Sequence, residues 1–407
     1  MLLPTAELTD IEQVYLPYAY PTTGEVRPLV SLYDTVRPGT PLSEVEGDPI
    51  AVVRSSVTGV VSGEKVLSHP LYGDLRCAVI DCLPDGGVPL VPDPHDVTVE
   101  SVLQDLETAG VIDELDGVPL WVKLRNWQEN GCDFLVADAV EVQPYGSAAW
   151  AVLRSDAEQV IEGLSLLARC VGAKGYHIAV CLSPYRRRSL AMRVGKQHLF
   201  AADSQYPVKR LFHRFLENDG VRLNKNSIVC RVGVAACLAL YRAVHFNEPH
   251  THAVLTVSGN AVERPQNVKV PFGTPVQELL QRLGLNSEPT HLIVGDVMTG
   301  VTSTTQTVPV LPGMSCVLAM TMPPVKLSSP RACIGCGRCV QACHAQLLPF
   351  EIHRRYENMH YEHLDSLNPS ACDGCGVCSY VCPCGLDLAA TVAEAKQLSH
   401  SVMVDLE

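Results

Sequence analysis

Two short cysteine-rich runs near the C-terminus constrain this 407-residue chain more than any other feature. In each run the cysteines are separated by two, two and three residues, and a proline follows the second run directly. Glycines lie between the first three cysteines of both runs, so the backbone can curl tightly and present N–H groups to the sulfur atoms. The cysteines of the two runs are Cys333, Cys336, Cys339, Cys343, Cys372, Cys375, Cys378 and Cys382.

Runs with this spacing are typical of bacterial ferredoxins that hold two 4Fe–4S clusters. In those proteins three thiolates of one run bind one cluster, and the fourth cysteine of the run binds the other cluster. Zinc sites are the alternative, because CxxC pairs also build zinc ribbons, but a third and a fourth cysteine so close behind are not ribbon spacing. We therefore assign cluster one to Cys333, Cys336, Cys339 and Cys382, and cluster two to Cys372, Cys375, Cys378 and Cys343.

Cysteines outside the runs fall into two groups. Cys384 follows Cys382 and Pro383, and so lies beside a predicted ligand. It could replace a ligand, act as a redox thiol, or simply neighbour the cluster. The others lie in apolar surroundings and are expected to fill hydrophobic cores, as free cysteines commonly do. They are Cys77, Cys82, Cys132, Cys170, Cys181, Cys230, Cys237 and Cys316.

Composition limits where the chain works and what it binds. A hydrophobic content of 47% in 407 residues suffices for about two to four domains. No apolar run reaches about 18 residues, so we expect no direct membrane insertion. The N-terminus has no basic segment, so we expect no signal peptide, and many cysteines without export indicate the reducing cytoplasm. A net charge of −13 argues against nucleic acid as a partner.

Local patterns divide the chain into four predicted domains. Residues 1–98 carry turn residues about every 8 to 12 positions, which predicts a β barrel or sandwich. Residues 99–247 alternate helix and strand patterns in β–α–β order, which predicts an α/β domain with a parallel sheet. Residues 250–322 return to short strands, and residues 323–407 hold the cysteine runs. The chain is thus predicted to be multidomain, with α+β and α/β parts.

Several individual elements can be placed from their patterns. Strands are predicted at residues 132–137 and 176–180, with a helix between them at 156–171 that ends before a glycine. A further helix is predicted at 276–283 after a Thr-Pro pair. Residues 323–330 are proline-rich and are expected to link the cluster domain to the rest of the chain.

Four regions besides the cysteine runs carry a family likeness: residues 55–60, residues 156–164 with 171–174, residues 257–259 with 264–265, 271–274 and 295–300, and residues 347–349. They resemble the C subunit of the Rnf electron-transport complex and its soluble relatives, the cobalamin reductases and the Rnf-C-like proteins of proline reductase clusters. The likeness implies an N-terminal barrel-sandwich domain, an α/β domain similar to the flavin subunit of respiratory complex I, a soluble-ligand-binding β-grasp (SLBB) domain and a dicluster ferredoxin domain.

One segment departs from this family. Members that oxidise NADH carry a loop of the type G-x-G-G-A-G-F-P before a V-K-L stretch. Here residues 109–124 keep V-K-L but lose most of the glycines, and Asp113, Glu114 and Asp116 fill the gap. Because bare N–H groups cradle phosphate in such loops, bulky acidic side chains oppose it. The family's E-x-E-P-Y stretch is also weakened, at residues 141–145. FMN and NAD are therefore expected to be absent.

The resemblance implies an electron-transfer subunit of an oxidoreductase system rather than a stand-alone enzyme. Two 4Fe–4S clusters would relay single electrons from a donor, either reduced ferredoxin or a flavoprotein, to a partner reductase. The expected partners are redox proteins, either a reductase or the subunits of a membrane electron-transport complex. A cytoplasmic chain would bind such a complex peripherally.

Two other functions stay open. An FMN-containing, NADH-dependent reductase of ferredoxin or cobalamin would bind flavin and bleach its clusters with NADH, but the acidic loop at residues 113–116 weighs against it. A scaffold with structural clusters would keep one oxidation state under mild reductant. The sequence indicates no Ser-His-Asp arrangement, paired carboxylates or Walker loop, so we assign no catalytic residue.

Overall fold

The fold is mixed α/β, as predicted. The computed structural model describes residues 3–21, 24–46, 52–84, 96–140, 144–201, 221, 227–321, 332–361 and 364–404, so the predicted linker at 323–330 lies outside the described residues. The strands are β1 (Thr5–Glu7), β2 (Gln13–Pro17), β3 (Val26–Pro28), β4 (Thr35–Val36), β5 (Ser43–Val45), β6 (Gly59–His69), β7 (Gly73–Cys82), β8 (Phe134–Ala139), β9 (Gly175–Val180), β10 (Leu199–Ala201), β11 (Val229–Gly233), β12 (His252–Ser258), β13 (Gln266–Pro271), β14 (His291–Val294), β15 (Val301–Ser303) and β16 (Cys316–Met320). The helices are α1 (Val99–Ala109), α2 (Leu120–Asn130), α3 (Ala148–Val171), α4 (Pro184–Val194), α5 (Val234–Phe246), α6 (Val276–Leu283), α7 (Arg338–Ala342), α8 (Pro349–Glu357), α9 (Val377–Tyr380) and α10 (Leu388–Val404).

A long hairpin of β6 and β7 organises the N-terminal β region. The two strands pair antiparallel with a bulge between Val61 and Gly63, while β2 pairs with β7 and β4 with β6. β3 and β5 form a separate two-stranded sheet. Because successive side chains of a strand point to opposite faces, Val14 and Leu16 of β2 reach the core together and are fully buried.

A six-stranded mixed sheet is built mainly from residues 252–320, with the strand order β1-β13-β12-β16-β14-β15. Its edge strand β1 comes from the start of the chain and runs parallel to β13, with Thr5 opposite Asn267. The sheet shares one hydrophobic core with the N-terminal β region. A buried hydroxyl also joins the two, since Ser56 Oγ donates to the carbonyl oxygen of Phe272 at 2.6 Å.

Four parallel strands, ordered β10-β9-β8-β11, form the sheet of the α/β region. Every residue of β8 is buried, as expected for an inner strand of a parallel sheet. α3 and α5 meet at Gly163, where a β-carbon would collide with the carbonyl oxygen of Cys237. α3 bends at the non-helical Asp156 and ends at Gly172, which has a φ of 66°. The predicted β–α–β order is confirmed, and the predicted helix corresponds to the part of α3 after the bend.

The last described residues, 332–361 and 364–404, form a small helical region around the cysteine runs. Ile352 of α8 packs with Val392 and Ala395 of α10 in one buried cluster. The short helices α7 and α9 each contain the third cysteine of a run. Across the described part of the chain, no helix combines the length and the apolarity that a membrane span requires.

Candidate functional site

The C-terminal region folds the two cysteine runs around two small cavities. Each cavity takes three cysteines from one run and the fourth cysteine of the other run, which is the crossover expected from the spacing. The first cavity is lined by Cys333, Cys336, Cys339 and Cys382, and the second by Cys343, Cys372, Cys375 and Cys378.

Glycines shape the backbone around both cavities in the same way. Gly335 and Gly374 lie two residues after the first cysteine of their runs and have φ values of 66° and 76°, a conformation that residues with a β-carbon rarely adopt. Their N–H groups donate to the sulfur atoms of Cys333 and Cys372, at 3.5 and 3.4 Å. Bare N–H groups that face sulfur stabilise its negative charge, as a bound cluster requires.

The chemistry of the donor groups fits a 4Fe–4S cluster in each cavity. Four predicted ligand cysteines line each one, and the rest of the first cavity wall consists of Cys384, glycines and apolar residues such as Phe350 and Leu388. Burial raises the pKa of the Cys375 thiol to about 11 and that of the Cys378 thiol to about 12. Because thiolates so buried need a compensating cation, a metal cluster rather than free thiolates suits this site.

The two cysteine groups differ in their surroundings. Cys333 and Cys336 of the first group are exposed, and Ile334 between them is 70% exposed. In the second group, a β-carbon on Gly376 would collide with the carbonyl oxygen of Met298 in the loop after β14. The first group therefore lies at the surface, whereas the second packs against the rest of the molecule.

Polar residues accompany the second group. His344 Nε2 lies 2.8 Å from a carboxylate oxygen of Asp373, and both side chains are largely buried. With Cys375 they form a trio that could hold a metal ion. Because Cys375 also lines the second cysteine cavity, this trio belongs to that site. Cys384 is buried beside the first cavity, and its role stays a prediction.

A larger cavity of about 550 Å³ adjoins the second cysteine group. Its walls come from the α/β sheet, the loop at 295–300 and the segment 373–375. Arg231 and Asp138 form an ion pair on one wall. Burial raises the pKa of Asp296, on the opposite loop, to about 6. The cavity is large enough for a small organic ligand and lies beside the second group.

The acidic loop lies at one edge of this cavity, and its side chains have partners within the protein. Lys123 Nζ lies 2.5 Å from Asp113 Oδ2 and 2.9 Å from Asp116 Oδ2. The carboxyl oxygens of Glu114 accept hydrogen bonds from the backbone N–H groups of Ala235 and Ala236. These partners were not predicted from the sequence, although Lys123 of the V-K-L stretch is a signal for one of them. Residues 141–143 of the weakened stretch lie outside the described residues.

Comparisons with known proteins agree with this site. The family described as "4Fe-4S dicluster domain" matches residues 332–386. The C protein of the "Ion-translocating oxidoreductase complex" of Rhodobacter capsulatus is 27% identical over 360 residues, which cover 84% of this chain and 69% of that protein. The C protein of the "Na(+)-translocating ferredoxin:NAD(+) oxidoreductase complex" of Acetobacterium woodii is 27% identical over 364 residues, which cover 84% of this chain and 80% of that protein.

Among solved structures, an NAD+-reducing NiFe hydrogenase in its H2-reduced state is similar with a TM-score of 0.49 and 14% sequence identity, over 75% of this chain and 62% of that chain. A likeness at this level carries no inference about activity. The sequence comparisons, by contrast, extend along most of the chain and confirm the predicted resemblance. This chain is a homologue of the C subunits of ion-translocating oxidoreductase complexes, the Rnf type, and it carries a 4Fe–4S dicluster domain.

Proposed function

We propose that this chain transfers electrons through two 4Fe–4S clusters as a subunit of an oxidoreductase system. One observation carries the proposal: each of two cavities is lined by three cysteines of one run and the fourth of the other, the crossover of dicluster ferredoxins. Each cluster, when bound, takes up and releases one electron at a time. The protein supplies the thiolates, the N–H groups that face them and an apolar wall that excludes water.

The proposed ligands are those expected from the spacing. Cys333, Cys336, Cys339 and Cys382 hold cluster one, and Cys372, Cys375, Cys378 and Cys343 hold cluster two. The exposure of the first cysteine group supports a place for it at one end of the relay, because it lies at the surface where a partner protein can approach. The second group adjoins the interior cavity, so it serves the other end of the path.

Redox proteins are the proposed partners. One relative is named as part of a ferredoxin:NAD+ oxidoreductase complex, and others are named as parts of ion-translocating complexes. By analogy, this chain receives electrons from reduced ferredoxin or a flavoprotein and passes them to a partner reductase. It either joins such a complex peripherally or works with a separate cytoplasmic reductase.

We further propose that the α/β region lacks FMN and NAD. The argument is chemical: the loop that would offer bare N–H groups to phosphate instead carries Asp113, Glu114 and Asp116. Two of these carboxylates are held by Lys123 and the third by backbone N–H groups. Because these contacts would have to break, the three carboxylates cannot make room for a phosphate group without a loss of stability.

Anaerobic reconstitution of the full chain tests this function. We expect about eight iron atoms per chain, two sets of reduced-cluster EPR signals and reversible reduction by dithionite. Four iron atoms or fewer, with every proposed ligand intact, would contradict the two-cluster proposal. Clusters that never change oxidation state would indicate a structural scaffold instead.

The second candidate function is an FMN-containing, NADH-dependent reductase of ferredoxin or cobalamin. One observation favours it, namely the cavity of about 550 Å³ beside the second cysteine group. It predicts yellow protein with stoichiometric FMN and cluster bleaching by NADH. The electron-transfer proposal predicts neither, so flavin extraction and an anaerobic NADH titration separate the two.

A further inference from the structure

The N-terminus of α5 lies on the wall of the large cavity, which Val234 and Ala235 help to line. β11 runs directly into α5 at Gly233, and no side chain at that position caps the helix. The first N–H groups of a helix have no partner within it and carry partial positive charge. A helix that follows a parallel strand in this way is a common place for phosphate groups to bind.

Here two acidic side chains occupy those N–H groups. Glu114 Oε1 accepts from the N–H of Ala235 at 2.6 Å, and Glu114 Oε2 accepts from the N–H of Ala236 at 2.9 Å. Asp113 Oδ1 accepts from the N–H of Gly233 at 3.0 Å. The two oxygens of one carboxyl group thus bind two successive donors, as two oxygens of a phosphate would.

Contacts around the loop hold this carboxyl group in place. Asp113 is fully buried and paired with Lys123, which fixes the backbone next to Glu114. The Glu114 carboxyl group lies directly on the Cα of Gly233, where a β-carbon would overlap it. Glycine at the start of α5 and glutamate in the loop are therefore sterically matched.

The remaining charges of the cavity wall also disfavour anions. Among the described lining residues, the cationic Lys123 and Arg231 are each paired with an acidic side chain. Asp296 and Asp373 add further carboxyl groups to the wall. No unpaired cation of the described wall is left to attract phosphate.

We infer that Glu114 is a specificity-determining residue that caps α5 from within the protein and closes the cavity to phosphate-bearing ligands. The inference rests on the proposed electron-transfer function and gives a cause for the lack of FMN. The cavity remains open to neutral or cationic groups, which need no helix N-terminus. Removal of the carboxyl group exposes the N–H groups of Ala235 and Ala236 to the cavity.

The test compares Glu114→Ala with Asp116→Ala in the cluster-loaded full chain. Both variants remove one carboxyl group from the same loop, but only the first opens the helix. Calorimetric titration with inorganic phosphate is expected to show one saturable site in Glu114→Ala, with affinity at least about tenfold above the wild type. Asp116→Ala is expected to match the wild type.

Three results would overturn the inference. They are a folded Glu114→Ala without a gain in phosphate affinity, an equal gain in phosphate affinity in Asp116→Ala, or phosphate binding by the wild type that is as tight as in Glu114→Ala. Hydrogen–deuterium exchange of the wild type gives a test that needs no variant. Amides at 235–236 are expected to be protected, and exchange as fast as in an open helix end would contradict the capping. FMN in the wild-type protein would overturn the proposed function and this inference together, whereas the three results above overturn the inference alone, so the two failures are distinct.

Discussion

In the cysteine loops, glycines leave backbone N–H groups facing the sulfur sites, whereas the loop before α2 carries acidic side chains. Gly335 and Gly374 donate to cysteine sulfur, and both keep a backbone that other residues rarely adopt. In the acidic loop, Glu114 uses the N–H groups of α5 for itself. The comparison teaches that backbone N–H groups can face a cysteine site in one region and be occupied by internal carboxyl groups in another.

The largest effect is expected from the cysteines that cross between the two runs. Cys382→Ala removes a proposed ligand of cluster one, and Cys343→Ala removes one of cluster two. Each variant should retain about four of about eight iron atoms, because a cluster with three thiolates is less stable. Iron analysis and EPR show which cluster is lost, and Cys316→Ala in the buried core is the control. Loss of the cluster of the mutated run itself would contradict the crossover.

A smaller but still large effect is expected from Lys123→Met, which removes the cation that pairs with the acidic loop. Lys123 is 13% exposed and Asp113 is fully buried, so the variant leaves a buried carboxyl group without its cation. Such a change costs about 3 kcal/mol of unfolding free energy. Urea unfolding measures it.

Arg27→Met is the matched control, because the Arg27–Glu44 pair is exposed on both sides and should change nothing measurable. An equal loss in the two variants would show that the Lys123 pair is no more buried in solution than a surface pair. The acidic loop would then be a surface feature and not an integrated part of the fold.

Local spacing predicts which cysteines line the same cavity, but it does not predict the contacts that the acidic loop makes. Two-residue gaps with glycines determine which sulfurs can meet, and helix α6 follows from Pro275 and the apolar spacing of Val276, Leu279 and Leu283. Glu114 and Ala235, however, are separated by 121 positions along the chain. Thr5 and Asn267, which pair across the six-stranded sheet, lie even farther apart along the chain. Such contacts depend on the assembled fold, and no local pattern contains them.

Two glycine variants sharpen the contrast between the cysteine groups. Gly335→Ala and Gly376→Ala both force alanine into a left-handed backbone, which costs about 1–2 kcal/mol. A β-carbon at Gly335 meets no other protein atom of the described residues within 4 Å, whereas at Gly376 it collides with the carbonyl oxygen of Met298. We expect Gly335→Ala to keep both clusters and Gly376→Ala to weaken cluster two, as measured by iron retention on dilution. Equal retention would show that the second group is not packed against the loop after β14.

The most gradual effect is a pH dependence that arises from the acidic loop. Burial and the neighbouring Asp113 raise the pKa of Glu114 from 4.5 to about 8, although the N–H groups of Ala235 and Ala236 oppose the rise. Lys123 and the thiol of Cys237 are the other titratable groups close by. Between pH 4.5 and about 8, Glu114 keeps a proton in the folded chain that it releases in the unfolded chain. Stability therefore falls as pH rises through this window and levels off above it.

The slope of the unfolding free energy against pH corresponds to at most one proton, or about 1.4 kcal/mol per pH unit. Glu114→Gln cannot lose that proton, so urea unfolding at several pH values from 5 to about 8 should give a flatter profile for the variant. Glu129→Gln on the exposed face of α2 changes the net charge equally and should leave the slope of the wild type unchanged. An unaltered slope in Glu114→Gln would mean that this carboxyl group is solvated, and the acidic loop would then resemble the open cysteine loops more than it opposes them.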